Sequence, residues 1–512
     1  MTTYMMTSQA PFDPTALVDP ETGQPVDGAP LGAVLSAHAA ITPDAPAVSF
    51  GETTVSFAEL DRLANQRARQ LAEMGIGQDD RVIVSMPNSL EFVECTFAVW
   101  KLGAAVCPVS HRLNDEEFED IARLAEPAAV LSDRAGRNLD VPQLLVDAPP
   151  SAAYSADPLP LASTKPGRIL GSGGSTGRPK LIVDPFASRW GPEKAGYRRW
   201  PRAKLSVASP FYHAGPNATV FFGLSQGAHV VGMEKFDPLQ WLRDVERHGL
   251  DYIYTVPTIM TRISKLDRSV VERVDLSSVR TLLHMAAPCP EQTKRWWIDL
   301  LGPERVLELY GGAERIGLTL IDGNEWLARP GSVGRAAPGD EIVITGEDGE
   351  VLVPGEIGEV NFRKEAGPGT TYSYIGAETR IHGDLDSYGD MGWLDEDGWL
   401  YIADRRTDMV VIGGVNIYPA EVEAVIDCLP GVACSAVIGL PDDDLGNRLH
   451  AIVELEDGAQ MPDEAEFLAS LRESLHGFKR PRSAEFTRER VRDNAGKVRR
   501  SALREARIGP RS

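Results

Sequence analysis

Nine residues, Ser172 to Lys180 (SGGSTGRPK), carry three glycines, three hydroxyls and a lysine. A stretch of this kind suits a polyphosphate. Glycines let backbone N–H groups turn inward and approach an anion closely, the hydroxyls of Ser172, Ser175 and Thr176 add donors, and Lys180 adds a full positive charge. A surface turn would need neither the stiff Arg178-Pro179 step nor a lysine directly after it. The loop is not a Walker A motif, because no glycine stands five residues before Gly177 and Arg178 follows it instead of lysine. Nor is it a dinucleotide fingerprint: Gly171 and Gly173 are correctly spaced, yet position 176 is Thr. A second chemical group is Glu314, in Leu309-Tyr310-Gly311-Gly312-Ala313-Glu314. It follows the expected strand Val306 to Leu309, so it emerges at the carboxyl end of a parallel sheet, where α/β folds bind ligands.

The elements that must position these groups alternate between strand and helix. Ser56-Phe57-Ala58-Glu59 predicts a capping box, and Leu60, Leu63, Ala64, Ala68 and Leu71 follow at helical spacing until Gly75. Val82 to Val84 predicts a strand, Pro87-Asn88-Ser89 starts a helix to about Leu102, Gly103 stops it, and Ala104 to Pro108 predicts a second strand. Such a βαβ unit implies a parallel sheet covered on both faces. Ala148 to Pro166, rich in Pro, Ala and Ser, reads as a connection. Ser206 to Pro210 and Leu250 to Val256 predict strands around an amphipathic Phe236 to His248. Glu356 to Phe362, after the Asp348-Gly349 turn, predicts a hairpin of a smaller β region. The fold class is α/β.

With 512 residues, 43% of them hydrophobic, the chain is too long for one core and implies at least two domains. Its 52 basic and 74 acidic residues give a net charge of -22, which disfavours nucleic acid and anionic membrane as partners. The tail differs: Gly477 to Ser512 holds twelve Lys/Arg against four Asp/Glu. That run is either a solvated basic face or a contact for a phosphate-rich ligand. Five cysteines without CxxC spacing argue against a disulfide framework or zinc cluster. With no signal-like N-terminus and no run of 18 apolar residues, a soluble cytoplasmic protein is expected.

Together the motifs resemble the adenylate-forming enzymes, the family of acyl-CoA synthetases, firefly luciferase and peptide-synthetase adenylation domains. That family's loop reads roughly Thr-Ser-Gly-Thr-Thr-Gly-x-Pro-Lys, matching Ser172, Gly173, Gly174, Ser175, Thr176, Gly177 and Lys180. The resemblance implies that Tyr310 and Gly311 lie against adenine and that Glu314 holds Mg²⁺. It places Ala286, Ala287 and Pro288 beside adenine and the acyl pocket, with His213, Asn217 and Gly312 on the pocket wall. Tyr388-Gly389-Asp390 resembles the segment whose aspartate accepts hydrogen bonds from both ribose hydroxyls, a task suited to a carboxylate. Arg405 matches an arginine reaching ribose and phosphate, Gly413 and Gly414 the loop beside the incoming CoA thiol, and Lys497 in Asn-Ala-Gly-Lys the adenylation lysine. Three positions depart from the pattern. Ala313 replaces a threonine that contacts the α-phosphate, Asp404 replaces a glycine, and Thr407 stands at a hinge usually held by Asp or Lys.

The resemblance implies a loosely held arm (1–30), a large ATP- and acid-binding N-terminal domain (31–406) with parallel-rich sheets plus a small β region, and a small mobile α+β C-terminal domain (407–512). It implies an AMP-forming acid:CoA ligase using ATP, Mg²⁺ and coenzyme A on a small, hydrophobic carboxylic acid, and leaves room for a homodimer. The alternatives are transfer to a carrier-protein thiol or a nitrogen nucleophile, and a nucleotide-binding homologue without ligase activity.

Overall fold

The structure is a computed structural model; it describes residues 13–508 except 135, 173–178, 192–193, 406–407, 414, 443, 473 and 493–497, with Ser172 and Arg405 described by backbone only. The chain divides into two units. The first comprises residues up to Ile169 with Pro185–Leu205 and Ala218–Glu234; the second comprises Leu170–Asp184, Ser206–Asn217 and Lys235–Ser512.

The first unit contains the expected βαβ layer. Strands Ala105–Pro108, Arg81–Ser85, Ala129–Ser132 and Gln143–Leu145 pair in that order, all parallel. Helices Leu31–Ile41, Phe57–Glu73 and Leu90–Lys101 pack together, with Gly32 where an added Cβ would lie 2.7 Å from the Lys101 nitrogen. Ser56 caps the second helix by accepting from the Glu59 nitrogen at 3.3 Å, but only half of the expected box forms. The Glu59 carboxylate is taken by Arg62 instead, at 2.7 Å. Residues 13–30, expected as a loose arm, are tied down. Val18 and Ala29 are buried, Val18 bridges to Pro25, and Arg202 and Arg189 donate to the carbonyls of Pro20 and Gly28.

The second unit is built on a sheet in which Tyr252–Thr255, Thr281–His284 and Val306–Gly311 run parallel. Helices Pro238–His248, Pro257–Ser264 and Glu291–Leu301 connect and cover them. Beyond Val306–Gly311 the sheet turns antiparallel through Leu318–Asp322, Ser332–Ala336, Leu400–Arg405, Leu385–Leu394, Gly358–Lys364 and Asp340–Thr345. The Gly358–Lys364/Asp340–Thr345 pair contains the predicted hairpin, with Gly349 at φ 82° in its turn. A separate three-stranded sheet, ordered Ser373–Ile375, Lys180–Val183, Ile169–Ser172, holds both flanks of the glycine-rich loop. The loop thus joins two paired strands, unlike a Walker loop, which joins strand to helix.

The strand expected at Ser206 to Pro210 is Lys204–Val207, and helix Ala214–Ser225 starts inside the stretch read as a pocket wall. The C-terminal portion carries hairpin Val410–Ile412/Val415–Ile417, helix Pro419–Ile426, and strands Val432–Asp442, Gly446–Leu455 and Ser483–Thr487. Val422, Ile426, Val437, Leu449, Ala451 and Val453 form its core.

The basic tail corrects the charge-run reading. Arg492 pairs with Glu423 (3.0 Å) and Asp427 (3.3 Å), Arg500 with Asp408 and Glu423 (2.7 Å each), and Arg507 with Glu485. Arg504 donates to the Gly439 carbonyl. These arginines tie the C-terminal sheet to its helices, with Arg504 still exposed.

Candidate active site

The carboxyl ends of the parallel strands carry the residues expected to act. Past His284 the chain rises to the surface: Ala286 is exposed at φ 80°, Ala287 half-buried and Pro288 exposed. Tyr310 closes the neighbouring strand half-buried, and Gly311 is exposed. The Tyr310 hydroxyl donates to Asp390 Oδ2 at 2.7 Å, while its ring lies 6.4 Å from Phe362 at 26° and meets Tyr388 edge-on at 6.1 Å. The aromatic and the aspartate that the resemblance assigned to base and ribose are therefore neighbours. Asp390 pairs in register with Arg405 across antiparallel strands, which places the Arg405 backbone opposite it.

Gly389, before Asp390, has φ 79°, and an added Cβ would lie 1.9 Å from the Arg380 guanidinium. The left-handed backbone favours glycine there, whereas the end of the exposed Arg380 side chain can move aside. An added Cβ at Gly312 would meet the Tyr388 ring at 2.4 Å, so this face of Gly312 is filled by an aromatic side chain. Burial, with the Glu314 carboxylate adding to it, holds the Tyr388 phenol well above its ordinary pKa, and its hydroxyl donates to the Gly317 carbonyl at 2.8 Å.

Glu314 and Lys180 face one another loosely, Nζ to Oε1 at 3.9 Å, with side chains 14% and 24% exposed. Tyr374 contacts both. Its hydroxyl donates to Glu314 Oε1 at 2.6 Å, and Lys180 Nζ lies 3.8 Å from its ring centroid. Register explains the arrangement: Tyr374 pairs with Ile182, so Lys180 is its diagonal neighbour on the same sheet face. The Thr371 hydroxyl holds the Glu314 backbone carbonyl at 2.8 Å. Glu314 Oε2 accepts no hydrogen bond from any described residue, which makes it a hard oxygen donor of the kind Mg²⁺ takes alongside substrate phosphates.

Of the residues expected on the pocket wall, His213 caps helix Ala214–Ser225, its carbonyl accepting from the Asn217 nitrogen at 2.9 Å. Asn217 is fully buried and its amide donates to the Phe211 carbonyl at 3.0 Å. Its side chain braces the turn carrying His213. An added Cβ at Gly215 would lie 2.3 Å from the Tyr254 hydroxyl and 3.1 Å from Met285 Sδ, so the helix start is pressed against both.

Sequence reasoning missed two features. One is Tyr374. The other is a buried trio in which Lys294 pairs with Glu308 and His284 Nε2 stands 4.0 Å from the same carboxylate. Burial would raise the Glu308 carboxyl, but Lys294 and His284 outweigh it and bring it below the ordinary value. Burial brings His284 down to about 4, so the imidazole is neutral at pH 7. A charged residue inside the apolar Val306–Leu309 run was the available signal.

Gly413 turns the Val410–Ile412/Val415–Ile417 hairpin at φ 56°, with Phe478 3.4 Å from an added Cβ and Val411 and Val415 exposed beside it. Asp404 accepts from the Ala420 nitrogen at 2.9 Å and so caps helix Pro419–Ile426, giving the residue that replaces glycine a definite task. Gly173, Gly174, Ser175, Thr176, Gly177, Thr407, Gly414 and Lys497 lie outside the described residues, as do the side chains of Ser172 and Arg405. Among described residues no helix is long and apolar enough to cross a membrane.

Over most of its length the chain resembles known proteins. Residues 35–374 match the AMP-binding enzyme model and residues 421–497 the AMP-binding enzyme C-terminal domain. The chain is 32% identical to a feruloyl-CoA synthase of Amycolatopsis sp, covering 93% of this chain and 98% of that one. It is 31% identical to a Mycobacterium tuberculosis 3-[(3aS,4S,7aS)-7a-methyl-1,5-dioxo-octahydro-1H-inden-4-yl]propanoyl:CoA ligase, over 90% and 96% of the two chains. Among solved structures, the o-succinylbenzoate CoA synthetase of Bacillus subtilis in complex with its acyl-adenylate intermediate superposes with a TM-score of 0.75 at 25% identity, covering 93% and 99%. The chain belongs to the family of AMP-binding enzymes.

Proposed function

We propose that this chain activates a hydrophobic carboxylic acid with ATP and transfers it to coenzyme A. The observation that carries the reading is the presence, on one unit, of the Lys180–Glu314 pair and the Tyr310–Asp390 pair, with Tyr310 at the carboxyl end of strand Val306–Gly311 and Glu314 just past it. The acid's carboxylate attacks the α-phosphate, pyrophosphate leaves, and a thiol then displaces AMP from the acyl-adenylate. A carboxylate needs no base at neutral pH, so His213 is a wall residue and not a proton acceptor. The chain's contribution is positioning and charge: Asp390 takes the ribose diol, Tyr310 lies along the base, and Lys180 meets the phosphates. Glu314 Oε2 would hold Mg²⁺, whose charge would offset that of the phosphates.

The substrate class draws on relatives named for an aromatic acyl group and a fused-ring propanoyl group. A bulky ring-bearing acid is the substrate proposed. Lys497 is assigned to adenylation, the Gly413–Gly414 loop to the thiol step, and the pivot between them to Thr407 at the 406/407 boundary. Cytoplasmic residence and a homodimer belong to the same reading. A panel of aromatic, fused-ring and straight-chain acids, tested by pyrophosphate exchange and by intact mass of products formed with coenzyme A, tests it. Ring-bearing acids should exchange and give the acyl-CoA mass. Exchange with no acid would replace the ligase by a nucleotide-binding homologue, and an acyl-adenylate that accumulates beside coenzyme A would reassign the acceptor.

A further inference from the structure

The Lys180–Glu314 pair shares a third residue, Tyr374. At 3.9 Å it is open, although each side chain is flexible enough to close it to hydrogen-bond distance. The Tyr374 hydroxyl occupies Glu314 Oε1 at 2.6 Å, and the Tyr374 ring carries the Lys180 ammonium on its face at 3.8 Å. A tyrosine inserted only for packing would satisfy its hydroxyl anywhere; this one binds a cation with its ring and a carboxylate with its hydroxyl.

We propose that Tyr374 is a positioning residue: its hydroxyl fixes Oε1 of Glu314 so that Oε2 alone is offered to nucleotide-bound Mg²⁺, and its ring keeps Lys180 from collapsing onto the carboxylate. This rests on the ligase reading above. Two physical effects act together. A carboxylate with one oxygen pinned by a charge-assisted hydrogen bond cannot swing, so its other oxygen is presented in one direction. A cation over an aromatic face is attracted without being neutralised, so Lys180 retains its charge for an incoming phosphate.

The test uses the full chain with the non-cleavable analogue α,β-methylene-ATP and Mn²⁺ as a paramagnetic probe of the metal site. Tyr374→Phe keeps the ring and removes only the hydroxyl. The Mn²⁺ dissociation constant of the ternary complex should rise about tenfold, consistent with a lost hydrogen bond to a charged group. Metal-free AMP binding and thioester formation from presynthesised adenylate should stay within twofold. The same substitution made on top of Glu314→Gln should change Mn²⁺ affinity no further, which a merely structural role would not predict. Tyr374→Leu, which also removes the ring, should in addition weaken metal-free binding of pyrophosphate through Lys180. Wild-type and Tyr374→Phe proteins of equal Mn²⁺ affinity, with wild-type exchange intact, would overturn the role of Tyr374 alone. A wild type that neither retains Mn²⁺ with the nucleotide nor exchanges pyrophosphate would overturn the ligase reading together with it.

Discussion

Two lysine–glutamate pairs lie along one strand and differ in almost every physical respect. Glu308, inside Val306–Gly311, is closed against Lys294, whose side chain is fully buried and lies over the Trp326 ring at 4.8 Å. Glu314, just past the strand's end, leaves its lysine 3.9 Å away with both side chains partly open to solvent. Each lysine has an aromatic companion, but Trp326 backs a closed pair whereas Tyr374 keeps its pair open. A buried pair must be closed, because an unpaired charge in an apolar interior is costly. A pair that serves a ligand is left more open, because the ligand adds its own charge to the site. The first is architecture and the second is chemistry, and substitutions should separate them.

The largest effect is expected where the closed pair is broken. Lys294→Ala leaves Glu308 buried beside a neutral His284 and should destabilise the protein by about 3–5 kcal/mol, read from denaturant midpoints, while exchange per folded molecule stays within twofold. Lys294→Met combined with Glu308→Leu should recover most of that loss, because the interior then holds no charge. A double variant as unstable as the single one would mean that the charges themselves hold the region. The open pair should behave oppositely. Glu314→Gln should lower pyrophosphate exchange by about 10²–10³ and leave the midpoint almost unmoved. A Glu314→Gln protein that unfolds easily but still exchanges would erase the distinction.

The C-terminal cluster extends the comparison to a closed network that titrates. Asp427 is pushed up from 3.8 to about 6, first by burial, with Glu423 adding to it against Arg492 and the Ser435 hydroxyl. The folded form thus binds the proton more tightly than the unfolded chain. That contribution to stability is complete below about 3.8 and is lost as pH rises through about 6. Relative to Asp427→Asn, which cannot titrate, the wild type should lose on the order of 1–3 kcal/mol between pH 4 and pH 7. Denaturant midpoints followed across that range check this; parallel profiles would show that Arg492 keeps Asp427 ionised throughout.

Much of this was legible before any coordinates. Local grammar predicted the Leu90–Lys101 helix and its flanking strands, because a capping serine, an apolar periodicity and a stopping Gly103 lie within one short window. Helix Ala214–Ser225 was not legible: its AGPNATVFFGLS sequence is apolar on nearly every side, so no amphipathic stripe marks it. Tyr310, Glu314 and Asp390 were found because they sit in contiguous motifs. Tyr374 was not, because its contacts arise only when Ser373–Ile375 pairs with Lys180–Val183, segments far apart in the chain. The basic tail misled for the same reason: its partners Glu423, Asp427 and Asp408 are remote in sequence.

The smallest expected effect tests how far the open site tolerates change one residue from Glu314. Ala313 is half-buried and packs on a cluster that includes Leu170, Ile316 and Phe362, while its neighbour Gly312 is already covered by the Tyr388 ring. Ala313→Thr adds a methyl and a hydroxyl. Ala313 lies in the turn closed by the Arg315 nitrogen on the Gly312 carbonyl at 3.1 Å, and half-burial leaves one direction open, so the denaturant midpoint should move by less than about 1 kcal/mol. If Ala313 merely lacks a phosphate donor, the new hydroxyl should leave exchange unchanged or raise it by up to about tenfold, equivalent to about 1.4 kcal/mol in the barrier. Steady-state exchange at saturating acid and limiting ATP checks this, since a new phosphate contact acts on the nucleotide. A loss beyond tenfold with the fold intact would mean that the space beside Ala313 is already used, and that an open pair tolerates additions no better than a closed one.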